Sequence, residues 1–264
     1  MALLPAQAGS GLTVFAIALV VAITVAGPTE ASIQMSPVTQ EVLISAGGSD
    51  SGTWSVKNSS AKTVEVAVNA VSFEDYLRGN RDALAPTWIT LTPDRVTLFA
   101  GEDTTIAFTV NIPDSMTGER MLMVFFAEQP SGNGAVVQGR IGTAFYVMIS
   151  GTLHPLLELV SIRHSRDIHG RSYFFLELKN PGNVHLRPRG EFVIYDSMGH
   201  ESGRTRLEIG MPVLAGGRER FASLPVVATL LPGDYVVRYR IESGIVDDKS
   251  GPFLLGEIPF TIVP

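Results

Sequence analysis

Short runs of β-branched and aromatic residues recur every 8 to 15 residues through most of this chain. Gly, Pro, Asn and Ser separate the runs, as turn residues separate strands. In Val64–Val68 the valines alternate with other residues, which is typical of a strand with one buried face. After residue 31, no stretch keeps a 3.6-residue apolar period for the length of a major helix. The pattern therefore predicts an all-β chain built from sandwiches or barrels.

The N-terminal residues differ from the rest of the chain. Leu12–Ala26 is an uncharged apolar stretch of 15 residues, and as a helix it would rise only about 22 Å, short of the roughly 30 Å hydrocarbon core. Thr29 and Ala31 place small residues at the −3 and −1 positions before Ser32. We therefore predict a signal peptide over residues 1–31 and a periplasmic or secreted mature chain without a membrane span. No Lys or Arg precedes the apolar stretch, so an uncleaved anchor and a buried helix stay as alternatives.

An internal repeat predicts the number of domains. Three dipeptides recur in the same order about 115 to 122 residues later, around strands of similar length: Lys57-Asn58 with Lys179-Asn180, Ala100-Gly101 with Ala215-Gly216, and Gly118-Glu119 with Gly233-Asp234. Repeats of one supersecondary unit indicate two copies of one fold. We predict two tandem sandwich domains, residues 32–152 and 153–264, that meet near the Gly- and Pro-containing stretch Ser150–Pro155.

Composition excludes several function classes. The net charge of −6 is unsuited to neutralising a phosphate backbone, so no nucleic-acid partner is expected. The chain has no Cys, which excludes disulfides and thiolate chemistry. The five His residues show no metal-ligand spacing and are expected at the surface or in loops. No catalytic motif is present, so we predict a protein that is not an enzyme and has no cofactor, metal or catalytic residues.

Arginines spaced two apart recur in the C-terminal half, on one face of a strand in each case. They predict either a basic stripe for an acidic partner or a salt-bridged exposed face. The pairs are Arg187/Arg189, Arg204/Arg206, Arg218/Arg220 and Arg238/Arg240.

The order of motifs in the N-terminal half resembles a known family. Lys57-Asn58 closes one strand, Trp88–Pro93 follows, and Ala100-Gly101-Glu102 precedes the last three strands, including Arg120–Glu128. This order resembles the N-terminal domain of the periplasmic pilus-assembly chaperones (PapD-like). The C-terminal half, with Asn180-Pro181-Gly182-Asn183, looks more like the Asn-x-Gly-Asn immunoglobulin-like domains of bacterial extracytoplasmic proteins.

This resemblance implies tandem immunoglobulin-like β-sandwiches and a chaperone-like function in the assembly of pili or another surface structure. Its implied partners are a pilus-type or surface subunit and an outer-membrane assembly platform. Family members hold the carboxylate of a subunit with an Arg on the first strand and a Lys on the last strand of domain one. Here Ser32–Ser45 contains neither Arg nor Lys, and Thr143 stands in the place of the Lys. Arg140 is the nearby cation and is the predicted substitute anchor.

The last strand of domain one is apolar on both faces, as is the strand before it. An antiparallel strand with one wet face alternates apolar with polar residues, so a second covering surface is expected here. Strand addition by a client would supply that cover, and the predicted client-binding residues are Arg140, Ile141, Thr143, Phe145, Val147 and Ile149. Packing against domain two or an oligomer neighbour is the alternative. In that case the chain is a structural or adhesive surface module without chaperone activity.

Overall fold

The computed structural model describes residues 32–129, 139–208, 210–246 and 249–263. Residues 31–264 form one compact unit. The predicted signal peptide, residues 1–31, lies outside the described residues. Within the described part of the chain, no helix is long and apolar enough to cross a membrane.

Nearly all regular structure is β, and the prediction of an all-β chain with tandem immunoglobulin-like sandwiches is confirmed. The strands of the N-terminal sandwich are β1 (Ile33–Ser36), β2 (Thr39–Ile44), β3 (Ser49–Asn58), β4 (Val64–Ser72), β5 (Ile89–Thr92), β6 (Arg95–Leu98), β7 (Asp103–Asn111), β8 (Glu119–Glu128) and β9 (Arg140–Ile149). A short helix, α1 (Phe73–Leu77), follows β4, and the Ser72 side chain caps it by accepting a hydrogen bond from the backbone N–H of Asp75.

The C-terminal sandwich comprises the second series of strands. They are β10 (Glu158–Arg166), β11 (Ser172–Lys179), β12 (Arg189–Asp196), β13 (Glu201–Arg206), β14 (Arg218–Ala222), β15 (Gly233–Glu242), β16 (Ile245–Val246), β17 (Lys249–Ser250) and β18 (Phe253–Ile262).

Two sheets form each sandwich, and no sheet mixes described strands of the two halves. The N-terminal sheets have the orders β1-β3-β7-β5 and β2-β9-β8-β4-β6, and the main C-terminal sheets have the orders β10-β11-β14 and β13-β12-β15-β18. The N-terminal core surrounds the buried Trp54, whose ring lies 4.8 Å from Phe108 and 5.5 Å from Phe145. The C-terminal core surrounds the stacked rings of Phe174 and Phe192, 5.6 Å apart.

The repeated asparagines have the same structural role in both sandwiches. Asn58 ends β3 and Asn180 follows β11, and both side chains are fully buried. Each amide donates to backbone carbonyls of a neighbouring segment, from Asn58 to Leu98 and from Asn180 to Val213, at 3.1 and 2.9 Å. Such side-chain bonds to buried backbone groups hold a crossover between strands. The domain boundary at residues 152 and 153 stays a prediction.

Candidate functional site

The predicted client-binding residues all lie on β9, and most of their side chains are in the core. Phe145, Val147 and Ile149 are fully buried, and Thr143 is 1% exposed. The Thr143 hydroxyl donates to the backbone carbonyl of Val38 at 2.8 Å. Ile141 is half-buried and packs against the same core. These five side chains therefore face the opposite sheet of their own sandwich, and in this structure they are not at the surface.

The backbone of β9 is paired on both sides over only part of its length. β8 runs antiparallel to it from Arg140 to Met148, whereas β2 runs parallel to it only over Ala144–Ile149. Ile149 donates its N–H to Gly118 beside β8, and Ser150 donates its N–H to Ile44 of β2. Since successive residues of a strand direct their backbone groups to opposite sides, the even-numbered residues of β9 point away from β8.

This alternation identifies the open part of the edge. The N–H and C=O groups of Arg140 and Gly142 point outward, beyond the end of β2, and no described strand pairs with them. The open edge of β9 is thus two residues, Arg140 and Gly142, that present four backbone groups. Gly142 is exposed, and a Cβ there would lie 2.9 Å from the ring of Phe125.

The outer face of the same sheet is apolar along β8 and β9. At one end Phe125 is buried beneath Arg140, and at the other end Tyr146 is buried against the C-terminal sandwich. Between these ends Met123 and Ala144 are half-buried and lie directly opposite each other on the two strands. The outer face of β8 and β9 is therefore covered at both ends by other parts of the chain, as the sequence predicted for a strand pair that is apolar on both faces. The middle of this face, at Met123 and Ala144, is partly exposed.

Arg140 is held on this outer face by groups of its own chain. Its guanidinium lies over the Phe125 ring at 3.9 Å from the ring centre, a cation–π contact. Nη2 donates to the Arg81 carbonyl at 2.9 Å, and Nη1 lies 3.6 Å from the exposed Asp82 carboxylate. Nε is buried without a hydrogen-bond partner among the described residues. Burial lowers the pKa of Arg140, and the Asp82 charge opposes that shift.

A cluster of ionisable side chains joins the two sandwiches; we call Glu41, Glu119, Tyr146, His185 and Arg187 the interface cluster. His185 Nδ1 lies 2.5 Å from a carboxylate oxygen of Glu119, and both side chains are 5% exposed. His185 Nε2 lies 3.5 Å from Glu41 Oε1, and Arg187 donates to the same oxygen at 2.6 Å. The imidazole also stacks on Tyr146 at 4.1 Å between ring centres. His185 lies in the loop between β11 and β12, which agrees with the expectation of His residues at the surface or in loops, but its side chain is buried.

The Asn-x-Gly-Asn segment supports this interface through its last residue. Asn183 accepts a hydrogen bond from the His154 N–H at 2.6 Å and donates to the Thr152 carbonyl at 2.9 Å. Its backbone carbonyl accepts from the N–H of Glu119 at 3.0 Å. A Cβ at Gly182 would lie 2.2 Å from the His154 carbonyl oxygen, so the close approach requires glycine. The hydrogen bonds of Asn183 therefore hold the segment that connects the two sandwiches, at Thr152 and His154, in place.

The interface cluster shifts two pKa values in opposite directions. Burial acts to lower the pKa of His185, but the hydrogen bonds that the imidazolium donates to Glu119 and Glu41 outweigh it and raise that pKa. The hydrogen bond from His185 lowers the pKa of Glu41 from 4.5 to about 2, against the effect of burial and with further help from Arg187. An imidazolium between two carboxylates is the charge state that these contacts favour.

We expect the stability of the chain to depend on pH through this cluster. A raised folded pKa gives His185 a contribution that is complete below its ordinary value of 6.5 and is lost as the pH rises through the raised value. A lowered folded pKa gives Glu41 a contribution that is present above 4.5 and is lost as the pH falls toward about 2. Both contributions are present together between pH 4.5 and 6.5.

Thermal melts across pH 3 to 9 measure this dependence. In His185→Gln, the decrease in Tm above pH 6.5 should disappear. His200 is a matched control, since its side chain is 71% exposed and lies 3.6 Å from Asp196. The His200→Gln variant should keep the wild-type profile, and an unchanged profile in His185→Gln would contradict the prediction.

Most of the paired arginines form salt bridges with nearby carboxylates. Arg204 contacts Glu201, Arg218 and Arg220 both contact Glu177, and Arg240 contacts Glu242 at distances of 2.8 to 3.7 Å. Exposed pairs of this kind contribute little to stability. Within the described residues, no group of three or more His, Asp or Glu side chains is arranged to hold a metal ion.

Comparison with known proteins gives matches in structure alone. No protein-family model matches the sequence, and no curated protein matches it. The chain is similar to the YadV chaperone, with 14% identity, coverage of 87% of this chain and 100% of that chain, and a TM-score of 0.46. A chain from the Salmonella enterica SafA pilin–SafB chaperone complex has 13% identity, covers 88% and 96% of the two chains, and gives a TM-score of 0.44.

A third structure is the CsuC–CsuE chaperone–tip subunit pre-assembly complex of Acinetobacter baumannii. It has 15% identity, covers 85% of this chain and 98% of that chain, and gives a TM-score of 0.42. These structures contain chaperones of the class that the motif order resembles, and they do not assign this chain to a family.

Proposed function

We propose that the chain is a non-enzymatic, extracytoplasmic protein that binds a partner polypeptide by β-strand addition at the open edge of β9. The observation that carries this proposal is the set of outward N–H and C=O groups of Arg140 and Gly142, which extend past the end of β2. An unpaired strand edge is a template for another strand, and main-chain hydrogen bonds supply the affinity in such complexes.

The surroundings of the edge fit a partly apolar partner. Gly142 is exposed and has no side chain to block an approaching strand, while Met123 and Ala144 provide half-buried apolar surface beside it. The Arg140 side chain is 25% exposed beside this edge, and its ionic contact is to Asp82, whose side chain is 94% exposed. A partner carboxylate would replace that weak, screened contact by a stronger charge-assisted hydrogen bond.

The biological role within this proposal rests on the motif order of the sequence. That order resembles pilus-assembly chaperones, so we propose a pilus-type or other surface subunit as the partner, in the periplasm or outside the cell. An outer-membrane assembly platform is a further proposed partner. The proposed client-binding set is narrower than the sequence suggests: Arg140 lies at the open edge, and Ile141, Thr143, Phe145, Val147 and Ile149 face the core and support the strand from within.

A structural surface module is the second candidate, and two observations favour it. β2 already covers Ala144–Ile149, and the C-terminal sandwich covers the outer face at Tyr146. Both reduce the surface that is left for a client. In this alternative the two open residues of β9 serve no client, and the chain binds surface structures through other faces.

A proline substitution separates the two candidates. The outward N–H of Arg140 takes part in no strand pairing, so Arg140→Pro removes a donor from the edge without breaking the ladder to β8. Arg140→Ala is the matched control, because it removes the guanidinium and keeps the N–H. The measurement is the amount of a strand-deficient pilus-type subunit that copurifies with each variant after co-expression.

We expect Arg140→Pro to retain less than one tenth of the subunit that Arg140→Ala retains, since one backbone bond and the steric fit of the strand are lost together. Thermal melts should show both variants folded. If the two folded variants retain equal amounts of subunit, the hypothesis of strand addition at β9 is rejected, and the structural surface module is the remaining candidate.

A further inference from the structure

The last strand of the C-terminal sandwich, β18, is an edge strand over its whole length. It pairs with β15 from Phe253 to Ile262, and no described strand pairs with its other side. Its side chains alternate between exposed and half-buried. Phe253 and Leu255 are 54% and 63% exposed. A long apolar edge of this kind is normally covered or blunted in a monomeric protein.

The hydrogen bonds at the start of β18 show which of its groups are free. Ser243, next to the end of β15, donates its N–H to the carbonyl of Pro252. The even-numbered residues of β18 therefore direct their backbone groups to β15, and the odd-numbered residues direct theirs outward. Among the described residues, no strand pairs with the outward N–H and C=O groups of Phe253, Leu255 and Glu257. Pro259 presents a carbonyl alone, because proline has no N–H.

The N-terminal sandwich shows what covers such an edge in this chain. The antiparallel pair β8–β9 corresponds to the pair β15–β18 in the C-terminal sandwich. The first strand of each pair begins within the repeated dipeptide, Gly118-Glu119 for β8 and Gly233-Asp234 for β15. In the N-terminal sandwich the chain leaves β1 and continues as β2, which pairs in parallel with β9. β10 stays paired with β11 from Glu158 to Arg166, so the C-terminal sandwich has no described counterpart of β2.

A strand in the position equivalent to β2 would cover apolar side chains of the C-terminal core. Val42 and Ile44 of β2 are buried in the N-terminal core. On the inner side of β18, Leu254, Ile258 and Phe260 are only partly buried against the C-terminal core. Across from them on β10, Ile162 is also partly buried, and the buried Nε2 of His164 has no hydrogen-bond partner among the described residues. Buried polar atoms are normally satisfied.

We propose that the outer edge of β18 accepts an extended strand of a partner polypeptide, parallel to β18, whose inward side chains are apolar at alternate positions. Charged inward side chains are excluded by the cost of burying a charge against Leu254 and Ile258. The charge nearest the edge, Glu257, is already paired with Arg238 at 3.1 Å. This site lies in the other sandwich from the open edge of β9 and does not depend on the function proposed for that edge.

A second copy of this chain fits the edge less well. Antiparallel pairing of two β18 strands about Leu255 would place Glu257 opposite Phe253, and pairing about Glu257 would place two carboxylates side by side. Like charges directly opposite each other destabilise a strand pair. Pro259 would leave a partner carbonyl without a donor. A heterologous strand can avoid the first two faults, whereas Pro259 offers no donor to any partner.

The test uses β2 itself as the probe, since its sequence is known to cover such an edge. A synthetic peptide of residues 37–46 is titrated to millimolar concentration into the ¹⁵N-labelled chain, and amide shifts and amide exchange rates are followed by NMR. The control peptide carries Val42→Asp and Ile44→Asp, which place charges on its inward side. We expect shifts and slowed exchange at Leu255 and Glu257 with the first peptide, and none with the second.

Two variants of the protein sharpen the result. Leu255→Pro removes an outward N–H that no described group accepts, and Leu255→Ala keeps that N–H while it removes the side chain. The Kd of the peptide should be at least tenfold weaker for Leu255→Pro than for Leu255→Ala. Arg140→Pro should bind the peptide with unchanged affinity, so failure at β9 and failure at β18 are distinguishable.

Several results would overturn the proposal. One is the absence of shifts in the unmodified chain at millimolar peptide, a measurement that requires no variant to fold. Others are equal affinity for the two Leu255 variants, and shifts confined to Ala144 and Tyr146, which would indicate exchange with the chain's own β2. A concentration-dependent dimer that Leu255→Pro abolishes would assign the edge to a second copy.

Discussion

Phe145→Ala should lower the free energy of unfolding of the N-terminal sandwich by about 3–5 kcal/mol, the usual cost of truncating a buried aromatic side chain. Phe145 is fully buried, with its ring 4.8 Å from Phe108 and 5.5 Å from Trp54. Removing it leaves a cavity at the centre of this aromatic group. Both tryptophans of the chain, Trp54 and Trp88, lie in this sandwich, so urea unfolding followed by tryptophan fluorescence measures the loss directly.

Phe99 supplies the control for this experiment. It lies in the same sandwich and is 66% exposed, so Phe99→Ala should change stability by no more than about 0.5 kcal/mol. The result also decides the role of β9. If Phe145→Ala unfolds at the wild-type urea concentration and loses only partner binding, Phe145 is a surface contact and its assignment to the core is wrong.

The second large effect concerns the buried asparagines. Asn180→Ala should destabilise the C-terminal sandwich by about 3 kcal/mol, since each buried backbone group that loses its partner costs about 1–3 kcal/mol. The Asn180 amide donates to the carbonyls of Val184 and Val213 at 2.8 and 2.9 Å, and its oxygen accepts from the Gly182 N–H at 2.9 Å. Asn180→Asp keeps the shape but removes the donors, so it should destabilise at least as much.

Asn58→Ala is the matched variant in the other half, where the amide donates to the carbonyls of Lys62, Leu98 and Phe99. Tryptophan fluorescence should detect the Asn58 effect, and circular dichroism should detect both effects. Asn69 is half-buried and makes two weaker bonds, donating to the Arg81 carbonyl at 3.3 Å and accepting from Arg140 at 3.4 Å, so Asn69→Ala should destabilise less than Asn58→Ala. A fully stable Asn180→Ala would show that the two carbonyls have other partners.

Alternation of apolar residues was sufficient to predict the all-β class and most strands, because a strand that buries one face carries that signal locally. β13 carries no such signal. Its sequence, Glu-Ser-Gly-Arg-Thr-Arg, is polar on both faces, because it is an edge strand that buries little. Its pairing with β12 is a tertiary fact that no local pattern contains.

The candidate site shows a different limit of sequence reasoning. A strand that is apolar on both faces predicts two covering surfaces but does not say which face meets the core. The sequence therefore indicated Phe145 and Val147 as client contacts, whereas the opposite sheet covers them. The interface cluster was also missed, because His185 and Glu119 are 66 residues apart and no spacing rule connects residues on different sandwiches.

β2 has two structural roles, and both depend on its register against β9. Val42 and Ile44 are buried in the core beside β9, while Glu41, which precedes Val42 and lies on the opposite face, binds His185 and Arg187 of the other sandwich. Because side chains alternate along a strand, a slip of β2 by one residue would turn Glu41 inward and the two apolar residues outward. Any partner that displaces β2 from β9 would therefore also break the contacts of Glu41 with His185 and Arg187, and so weaken the interface between the two sandwiches.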